Sequence, residues 1–214
     1  IIQSIKNNGN WDPGAGLFTW KHYYNYNDGI NYIRPGSSNG MFNRITDQWF
    51  DISFFGGVGD GVTDDWSSLN TATNNASYSN AVVLLREGTY RTSFYFNVNG
   101  NQTLKGAGID KTIIKSTDVI GNPYMVTNTQ AATNITIEDI TFDGNGVLSW
   151  CLTLLTSKKI TIRRCKFKHV GQAILIVGCT DVLIEDCIFE PGAASYVNGH
   201  QAISISDGCK NIRI

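Results

Sequence analysis

Charge and long apolar runs are both scarce in this sequence. Asp, Glu, Lys and Arg make up 16% of the 214 residues, and the formal net charge is -1. A chain without a basic excess has little attraction for nucleic acid or for an anionic membrane surface. No segment reaches the length of about 20 apolar residues that a membrane-spanning helix needs. We therefore expect neither a nucleic-acid partner nor a membrane partner.

Motifs for metals and phosphates are also missing. None of the five cysteines has the C-x-x-C spacing of a metal site, and the phosphate-loop pattern G-x-x-x-x-G-K-[ST] does not occur. We predict no metal and no cofactor. The cysteines are odd in number and fall within apolar strand patterns, so we interpret them as free thiols that act as small hydrophobic residues in a protein folded under reducing conditions. They are Cys151, Cys165, Cys179, Cys187 and Cys209.

Glycine and asparagine are abundant instead. The chain contains 22 glycines but only four prolines. This composition favours turns and short strands over long helices. The predicted fold class is therefore all-β.

A short pattern repeats in the second half of the chain. The segments NITIEDITFDG, KITIRRCKFKH and DVLIEDCIFEP, at residues 134–144, 159–169 and 181–191, align without gaps, and the final NIRI matches their first four residues. In each repeat the apolar residues are spaced by two, three and two positions. A spacing of two is that of a strand with one buried face, whereas a step of three turns the next side chains to the opposite face unless the chain bends. Each repeat is therefore predicted to be two short strands joined at a corner.

A third strand accompanies each repeat, in the segments CLTLLT, AILIVG and AISISD. Three strands that recur every 22 to 30 residues describe a chain that winds into a parallel β-helix. Like residues then stack about 4.8 Å apart in columns. We expect three inward columns: Ile137, Ile162 and Ile184; Phe142, Phe167 and Phe189; and Cys165 beneath Cys187, with no disulfide bond between them.

The outward positions of the same repeats form columns of alternating charge. The alignment predicts three of them: Glu138, Arg163, Glu185 and Arg213; Asp139, Arg164 and Asp186; and Asp143, Lys168 and Glu190. Opposite charges in register stabilise neighbouring strands by roughly a few tenths of a kcal/mol per pair. We interpret these columns as devices that hold the coils in register.

Asp143 and Glu190 also permit a catalytic interpretation. Two coils apart, they would lie about 9.6 Å from each other, near the separation of the two carboxyl groups in inverting glycosidases. The lysine between them opposes this role, because it would keep both groups ionised whereas a general acid needs a raised pKa. His200 and Asp207 are the other catalytic candidates. The sequence favours solvated surface histidines for His169 and His200 over a general base, and a turn residue for Asp207.

A glycine- and aspartate-rich segment precedes the repeats. FFGGVGDGVTDD, at residues 54–65, leads into a predicted helix and then into VVLLREGTYRTS. This order resembles the opening segment of the pectate-lyase superfamily, which reads F-G-A-x-G-D-G-x-T-D-D-T, a helix, a strand and P-x-G-x-Y. Gly57, Trp66 and Arg86 depart from that pattern. The resemblance implies a right-handed, single-stranded parallel β-helix whose first coil is closed by a capping helix.

The same resemblance implies a structural role for the glycines and aspartates. We expect Thr63, Asp64 and Asp65 to serve as N-cap and first-turn residues of the capping helix. A ligand site is the less favoured alternative. The predicted capping motif consists of Gly56, Gly59, Asp60, Gly61, Asp64 and Asp65.

Three segments upstream of this motif resemble the lead-in of bacteriophage tailspikes and depolymerases. They are GLFTW, NDGINYIRP and GMFNRI. Phe42 and Asn43 stand where that lead-in has W-K, and its second glycine is missing. We therefore predict a lead-in segment at residues 1–48 and a parallel β-helix at residues 49–214.

The resemblance implies a homotrimer in a phage virion that recognises a bacterial surface polysaccharide and, in the full-length parent, degrades it as a lyase or glycoside hydrolase. A non-catalytic shaft of a tail appendage and a secreted pectate-lyase-like enzyme are the alternatives. The free cysteines and the absence of a D-P-H-[DE] motif count against the secreted enzyme. The chain stops part-way through a coil, so we expect further coils, and the catalytic carboxylates among them.

The predicted trimer needs a surface to bury. Leu155, Leu175 and Val177 alternate with inward residues of the third strand. We expect them on the outer face, where they form an apolar patch that three copies around an axis would cover.

Overall fold

The computed structural model describes residues 6–7, 10–11, 18–22, 32–33, 40–44, 49–117, 124–128, 131–190, 192 and 201–214. These residues form 21 strands, one α-helix and one short 3-10 helix. The strands are β1 Lys6–Asn7, β2 Asn10–Trp11, β3 Phe18–His22, β4 Tyr32–Ile33, β5 Gly40–Arg44, β6 Trp49–Asp51, β7 Asp60–Asp64, β8 Val82–Leu84, β9 Gly88–Thr92, β10 Phe96–Asn97, β11 Gln102–Lys105, β12 Thr112–Ser116, β13 Val126–Thr127, β14 Thr133–Glu138, β15 Thr141–Leu155, β16 Lys158–Arg163, β17 Lys166–Val177, β18 Thr180–Glu185, β19 Ile188–Phe189, β20 Gln201–Ser206 and β21 Lys210–Arg213. The α-helix, α1, is Trp66–Ser79, and the 3-10 helix is Ile52–Phe55.

Two parallel sheets enclose the core. A seven-stranded sheet has the order β21-β18-β16-β14-β11-β8-β6, and a nine-stranded sheet contains the remaining strands from β7 to β20. Between successive strands of the first sheet the chain always passes through the second sheet. The chain therefore winds around a common core as a parallel β-helix, and the predicted fold class is confirmed. The strands before residue 49 pair antiparallel, β1 with β2, and β5 with both β3 and β4.

The strand register matches the alignment of the repeats. Arg213 pairs with Leu183 and not with Glu185, so its place in the first charge column was wrong. Ile137 is paired with Ile162, and Ile162 with Ile184. At most 2% of each of these side chains is exposed. The rings of Phe142, Phe167 and Phe189 form a second inward column. Their centroids lie 5.3 and 5.4 Å apart, with nearly parallel planes. The predicted inward columns of isoleucine and phenylalanine are therefore confirmed.

The cysteine column is also present. Lys166 pairs with Ile188, so the preceding residues Cys165 and Cys187 are neighbours on adjacent coils. All five cysteines are free thiols. A hydrogen bond to the Cys187 sulfur, together with burial, raises the pKa of Cys165 well above its ordinary value. The thiols therefore pack as small core residues, as predicted.

Each coil has a first corner, between the strand in the seven-stranded sheet and the next strand. This corner is a single residue with positive φ, namely Asp139 at 62°, Arg164 at 48° and Asp186 at 53°. Left-handed backbone at one residue redirects the chain, and aspartate tolerates it better than most residues. The step of three in the sequence pattern is therefore the mark of this corner.

The second and third corners differ from the first. The second corner lies within or after strands β15, β17 and β19. It contains Asn145, Gly146 and His169, all with positive φ. The pairing of β15 with β17 shifts register between Asp143 and Leu148. The third corner leads back to the seven-stranded sheet. It again contains left-handed residues, Thr156, Gly178 and Asp207. The second corner is thus where coils differ in length.

Helix α1 packs against the first coils. Leu69, Ala72, Thr73 and Ala76 are fully buried, and these residues form one face of the helix. The described residues include no helix with the length and apolar character that crossing a bilayer requires.

The start of α1 differs from the sequence prediction. Thr63 and Asp64 belong to strand β7, and the helix begins at Trp66, so their placement in its first turn was wrong. Asp65 occupies the N-cap position, but its side chain does not cap the helix. Its carboxylate accepts hydrogen bonds from the Val58 and Gly59 N–H groups at 2.7 and 3.1 Å. The physical reason is that these loop N–H groups need acceptors of their own.

Gly59 shows why this loop is rich in glycine. Its φ is +68°, and a Cβ atom would lie 2.8 Å from the Tyr90 ring. A side chain here would be strained by the backbone and would also clash with a buried aromatic residue. Backbone freedom is therefore needed for the chain to pass close to the core.

Candidate functional site

Asp143 lies in β15, immediately before the second corner of its coil. Its side chain is only 8% exposed. Its carboxylate accepts a hydrogen bond from the Asn145 N–H at 2.9 Å and lies 2.8 Å from His169 Nδ1. Lys168 Nζ is 3.5 Å from the other carboxylate oxygen. Burial is the largest influence and raises the Asp143 pKa, but the hydrogen bonds from His169 and Asn145 and the charge of Lys168 outweigh it, so the pKa is lowered.

The Asp143–His169 pair has a defined chemical capability. An Nδ1–H that donates to a carboxylate leaves Nε2 of the neutral imidazole as an acceptor. The His169 side chain is 51% exposed, so this nitrogen can meet a ligand hydroxyl. His169 is thus at the surface, as the sequence favoured, but it is oriented by a buried carboxylate instead of being merely solvated.

Glu190 lies in a different environment from Asp143. Its carboxylate pairs with Lys166 at 2.8 Å, and Lys166 also lies 3.2 Å from Asp110. Among the described residues, Lys168 pairs with Asp143 and not with Glu190. The expectation that one lysine holds both carboxylates was therefore wrong. Lys166 and Lys168 point to the same side of the strand, and each takes one carboxylate.

The other two candidates are not brought to this place. Asp207 is an exposed residue with φ of 50° between β20 and β21. It lies at the third corner, whereas Asp143 precedes the second corner. His200 lies outside the described residues.

A polar column that the sequence analysis missed follows the second corner. Trp150 is paired with Gln172, and Gln172 with Gln201. The Trp150 indole N–H donates to the Gln172 side-chain oxygen, and the Gln172 amide donates to Gln201 at 3.0 Å. Each of the three residues stands two positions before an inward residue of the third strand, Leu152, Ile174 and Ile203. Extending the alignment to the start of the third strand would have found them.

The carboxylates of the glycine-rich loop are occupied by N–H groups of the loop and of neighbouring segments. Asp60 accepts hydrogen bonds from the Val62 and Thr63 N–H groups at 2.8 and 2.7 Å. The bond from the Thr63 N–H is the largest of the influences that lower the Asp60 pKa. Asp64 accepts from the N–H groups of Trp66 and Ser93, each at 3.1 Å. The part of the chain that the structure describes contains no group of three His, Cys, Asp or Glu side chains placed to hold a metal ion.

The fold and the second corner define a parallel β-helix protein in which Trp150, Gln172 and Gln201 lie in register on successive coils. The family model described as rhamnogalacturonase A/epimerase, pectate lyase-like matches residues 49–212. This match covers more than half of the chain. The chain therefore belongs to that family.

One relative comes from a bacteriophage. The pre-neck appendage protein of Bacillus phage B103 is 32% identical over 98 residues, which cover 44% of this chain and 11% of the relative. The chain thus spans about 11% of that relative's length.

Two solved structures share the fold. The surface protein and adhesin PfbA of Streptococcus pneumoniae has a TM-score of 0.64 and 18% identity, with 76% of this chain and 51% of that chain covered. The ORF18 protein of Geobacillus virus E2 has a TM-score of 0.58 and 19% identity, with 86% and 50% covered. At these identities the similarity concerns the fold alone.

Proposed function

We propose that this chain is the β-helix of a phage virion appendage and that it binds a polysaccharide of the bacterial surface. The observation that carries the proposal is the column Trp150, Gln172 and Gln201 on three successive coils. The column follows the second corner in strands β15 and β17, and Asp143 precedes that corner. The phage appendage relative and the pectate lyase-like family support this context.

The physical basis is the fit between a repeating surface and a repeating ligand. An indole presents a flat apolar face, which suits the apolar face of a sugar ring, and the Trp150 N–H that donates to Gln172 fixes its orientation. Glutamine amides donate and accept hydrogen bonds at once. Because the three residues are in register, they recur about every 4.8 Å along the axis. A linear glycan lying along the axis would meet an aromatic face on one coil and an amide on each of the next two coils.

We propose binding without cleavage for this chain. An inverting hydrolase needs one carboxylic acid that keeps its proton and one carboxylate that activates water. The lowered pKa of Asp143 keeps that group ionised, and Glu190 is held in an ion pair by Lys166. The Asp143–His169 pair is therefore better suited to accept a hydrogen bond from a bound hydroxyl than to protonate a leaving group.

Binding of a panel of bacterial surface polysaccharides to the 214-residue chain tests the proposal. We expect at least one glycan to bind, and Trp150→Ala to weaken it about tenfold, because buried aromatic anchors contribute most at such surfaces. Phe94→Ala is the matched control, since Phe94 is an aromatic residue with 49% exposure outside the column. Unchanged affinity in Trp150→Ala, or no binding to any glycan of the panel, would contradict the proposal.

Reducing-end release by the same chain tests the absence of cleavage. We expect no release from the glycan that binds. Turnover that Asp143→Asn abolishes would show that the chain is an enzyme and that Asp143 belongs to its active site.

A homotrimeric shaft is a second proposal, and it rests on the third strand. Leu155, Leu175 and Val177 are only half-buried and alternate with fully buried residues. On the next coil, Leu175 pairs with Ser204 and Val177 pairs with Ser206. We propose that this patch is covered by neighbouring copies, so that light scattering gives three chain masses. A monomer at micromolar concentration would contradict it.

A further inference from the structure

The last coil that the structure describes opens onto a cavity of about 480 Å³. The Cys187 side chain lies in the wall of this cavity, together with the neighbouring inward residues Ile184 and Phe189. Cys187 is half-buried, and among the described strands β19, which follows it, pairs only with β17. A small molecule that enters the cavity can therefore reach the Cys187 sulfur.

A second thiol lies directly behind the first. Cys165 is fully buried and stands at the same position of the preceding coil, one strand spacing or about 4.8 Å away. Cysteines whose Cα atoms are about 4.4–6.8 Å apart can form a disulfide bond, although their Cβ atoms must approach to about 3.5–4.5 Å. The pair is thus close enough to be bridged once Cys187 moves slightly towards Cys165. Among the described strands, none pairs with β19 on its outer side to prevent this movement.

The two thiols differ in reactivity. A hydrogen bond from the Cys165 thiol is the largest influence on Cys187 and lowers its pKa, against burial and the charges of Asp186 and Glu185. The same hydrogen bond, together with burial, raises the pKa of Cys165 well above its ordinary value. The thiolate is the nucleophilic form of cysteine. Cys187 is therefore the thiol that attacks first, and Cys165 is the thiol that follows.

Packing alone does not require two thiols at this place. Ile140 occupies the equivalent position of the coil before Cys165, because Thr141 pairs with Lys166, and it is fully buried. An aliphatic side chain therefore fits this column. Cysteines on the next two coils instead place two sulfur atoms side by side, with the outer one at the cavity.

We propose that Cys187 and Cys165 are a redox-active pair whose substrates are small disulfides. The Cys187 thiolate attacks one sulfur of the small disulfide, whose S–S bond breaks and releases a first small thiolate. The Cys165 thiol then loses its proton, and its sulfur attacks the Cys187 sulfur and releases the second small thiolate. The two released thiolates take up the two protons that the protein thiols have lost. Two protein thiols are thus oxidised to one disulfide bond, and the small disulfide is reduced to two thiols.

The new bond would join two successive coils next to their first corner. A disulfide bond stabilises a fold chiefly by restricting the unfolded chain. All five cysteines are free in the folded chain, so the crosslink forms after folding, when the protein meets an oxidising environment. Formation of the bond does not require the binding of a polysaccharide.

Cys179 and Cys209 are a second stacked pair and serve as the internal control. They are neighbours on adjacent coils, because Thr180 pairs with Lys210, and Cys209 is also half-buried. The Cys209 sulfur accepts a hydrogen bond from the Cys179 N–H at 3.3 Å, and Cys209 is not among the described residues that line the cavity. Because reactivity depends on access and on the thiolate fraction, we expect this pair to be oxidised at least about tenfold more slowly.

Incubation of the folded 214-residue chain with the disulfide of mercaptoethanol, followed by peptide mapping in a mass spectrometer, tests the proposal. This probe is uncharged, so Glu185 and Asp186 beside Cys187 do not repel it. We expect a bond between Cys165 and Cys187, seen as joined peptides that have lost two hydrogen atoms. The oxidised chain should unfold at a higher urea concentration than the reduced chain.

Two single variants separate the roles of the two thiols. In Cys165→Ser the reaction should stop with one mercaptoethanol on Cys187, because no second thiol displaces it, and the urea midpoint should not rise. In Cys187→Ser we expect Cys165 to remain unmodified, because it is fully buried.

Absence of the Cys165–Cys187 bond in the folded chain would overturn the proposal, as would its formation only in urea. Equally fast oxidation of Cys179 with Cys209 would also overturn it, and so would a bond between the Cys187 residues of two chains in place of the internal one. Peptide mapping of the unsubstituted chain distinguishes these outcomes, so a variant that does not fold leaves the test intact.

Discussion

Glu138 and Asp143 are two buried carboxylates of the same coil that differ in the side chains around them. The Glu138 side chain is 6% exposed and is held by Lys105 and Arg163, each at 2.6 Å. Asp143 is 8% exposed and is held by His169 and a more distant Lys168. For Glu138, burial is the largest influence and raises the pKa, but the hydrogen bonds and charges of Lys105 and Arg163 lower it overall. One carboxylate is enclosed by long cationic side chains, and the other orients a half-exposed imidazole.

The two corners explain this difference. The first corner is one residue on each of three coils, so its side chains stack and pair, as Asp139 does with Arg164 at 2.7 Å. The second corner changes length and register after Asp143. Side chains there cannot all find partners on the next coil. A corner of constant length therefore builds a structural network, and a corner of variable length leaves polar groups available to a ligand.

Acidification should have the largest effect on stability. The pKa values of Glu138, Asp139 and Asp143 are all lowered. A lowered folded-state pKa contributes stability that is present above the unfolded value of about 4 and is lost as the pH falls through the folded value. We therefore expect the free energy of unfolding to fall steeply below about pH 4. Asp65 acts in the opposite direction, because burial raises its pKa.

Urea unfolding at a series of pH values between neutral and acidic measures this dependence. Glu138→Gln should flatten the acidic limb more than Asp143→Asn, since its carboxylate has the closer cations. If neither variant changes how the free energy of unfolding falls at acidic pH, the ion pairs of Glu138 and Asp143 do not cause that fall.

Loss of the Glu138 charge at neutral pH should have the next largest effect. Glu138→Gln leaves Lys105 and Arg163 without their main partner. Because these cations are 40% and 39% exposed, water screens them, and we expect a loss of about 2 kcal/mol, below the usual cost of breaking a buried pair. Glu185→Gln, two coils further along, is the control, with a change within about 0.5 kcal/mol. Equal effects of the two variants in urea unfolding would show that the network is not a structural device.

Alanine substitutions at two glycines of the second corner should lower the stability by smaller and different amounts. A Cβ atom at Gly144 would lie 2.3 Å from Val170 and 2.6 Å from the His169 carbonyl oxygen. At Gly146 it would meet nothing within 4 Å, although φ is +73°. We expect Gly144→Ala to cost about 2 kcal/mol through overpacking and Gly146→Ala about 1 kcal/mol through backbone strain. Thermal unfolding measures both losses. Equal losses would mean that Gly144 is not tightly packed against Val170 and His169 of the next coil.

Structure could be predicted from the sequence where the pattern is local and repeated. The columns of Ile137 and Phe142 follow from spacing, because each extra coil repeats the same alternation of faces. Contacts could not be predicted where a side chain has several potential partners. Asp65 was predicted to serve the helix but bonds the Val58 and Gly59 N–H groups, and Lys168 was predicted to serve two carboxylates but pairs with one among the described residues.

The sequence by itself determined the parallel β-helix, its register and the single-residue first corner, since these depend on periodicities of two and three that any coil must satisfy. Only the tertiary structure decided which polar groups meet. Asp143 and His169 are 26 positions apart, and Gln172 and Gln201 are 29 positions apart. Such contacts depend on distances across coils and on the lengths of the corners between them. A linear pattern does not contain those distances, so the sites emerge only when the coils are stacked.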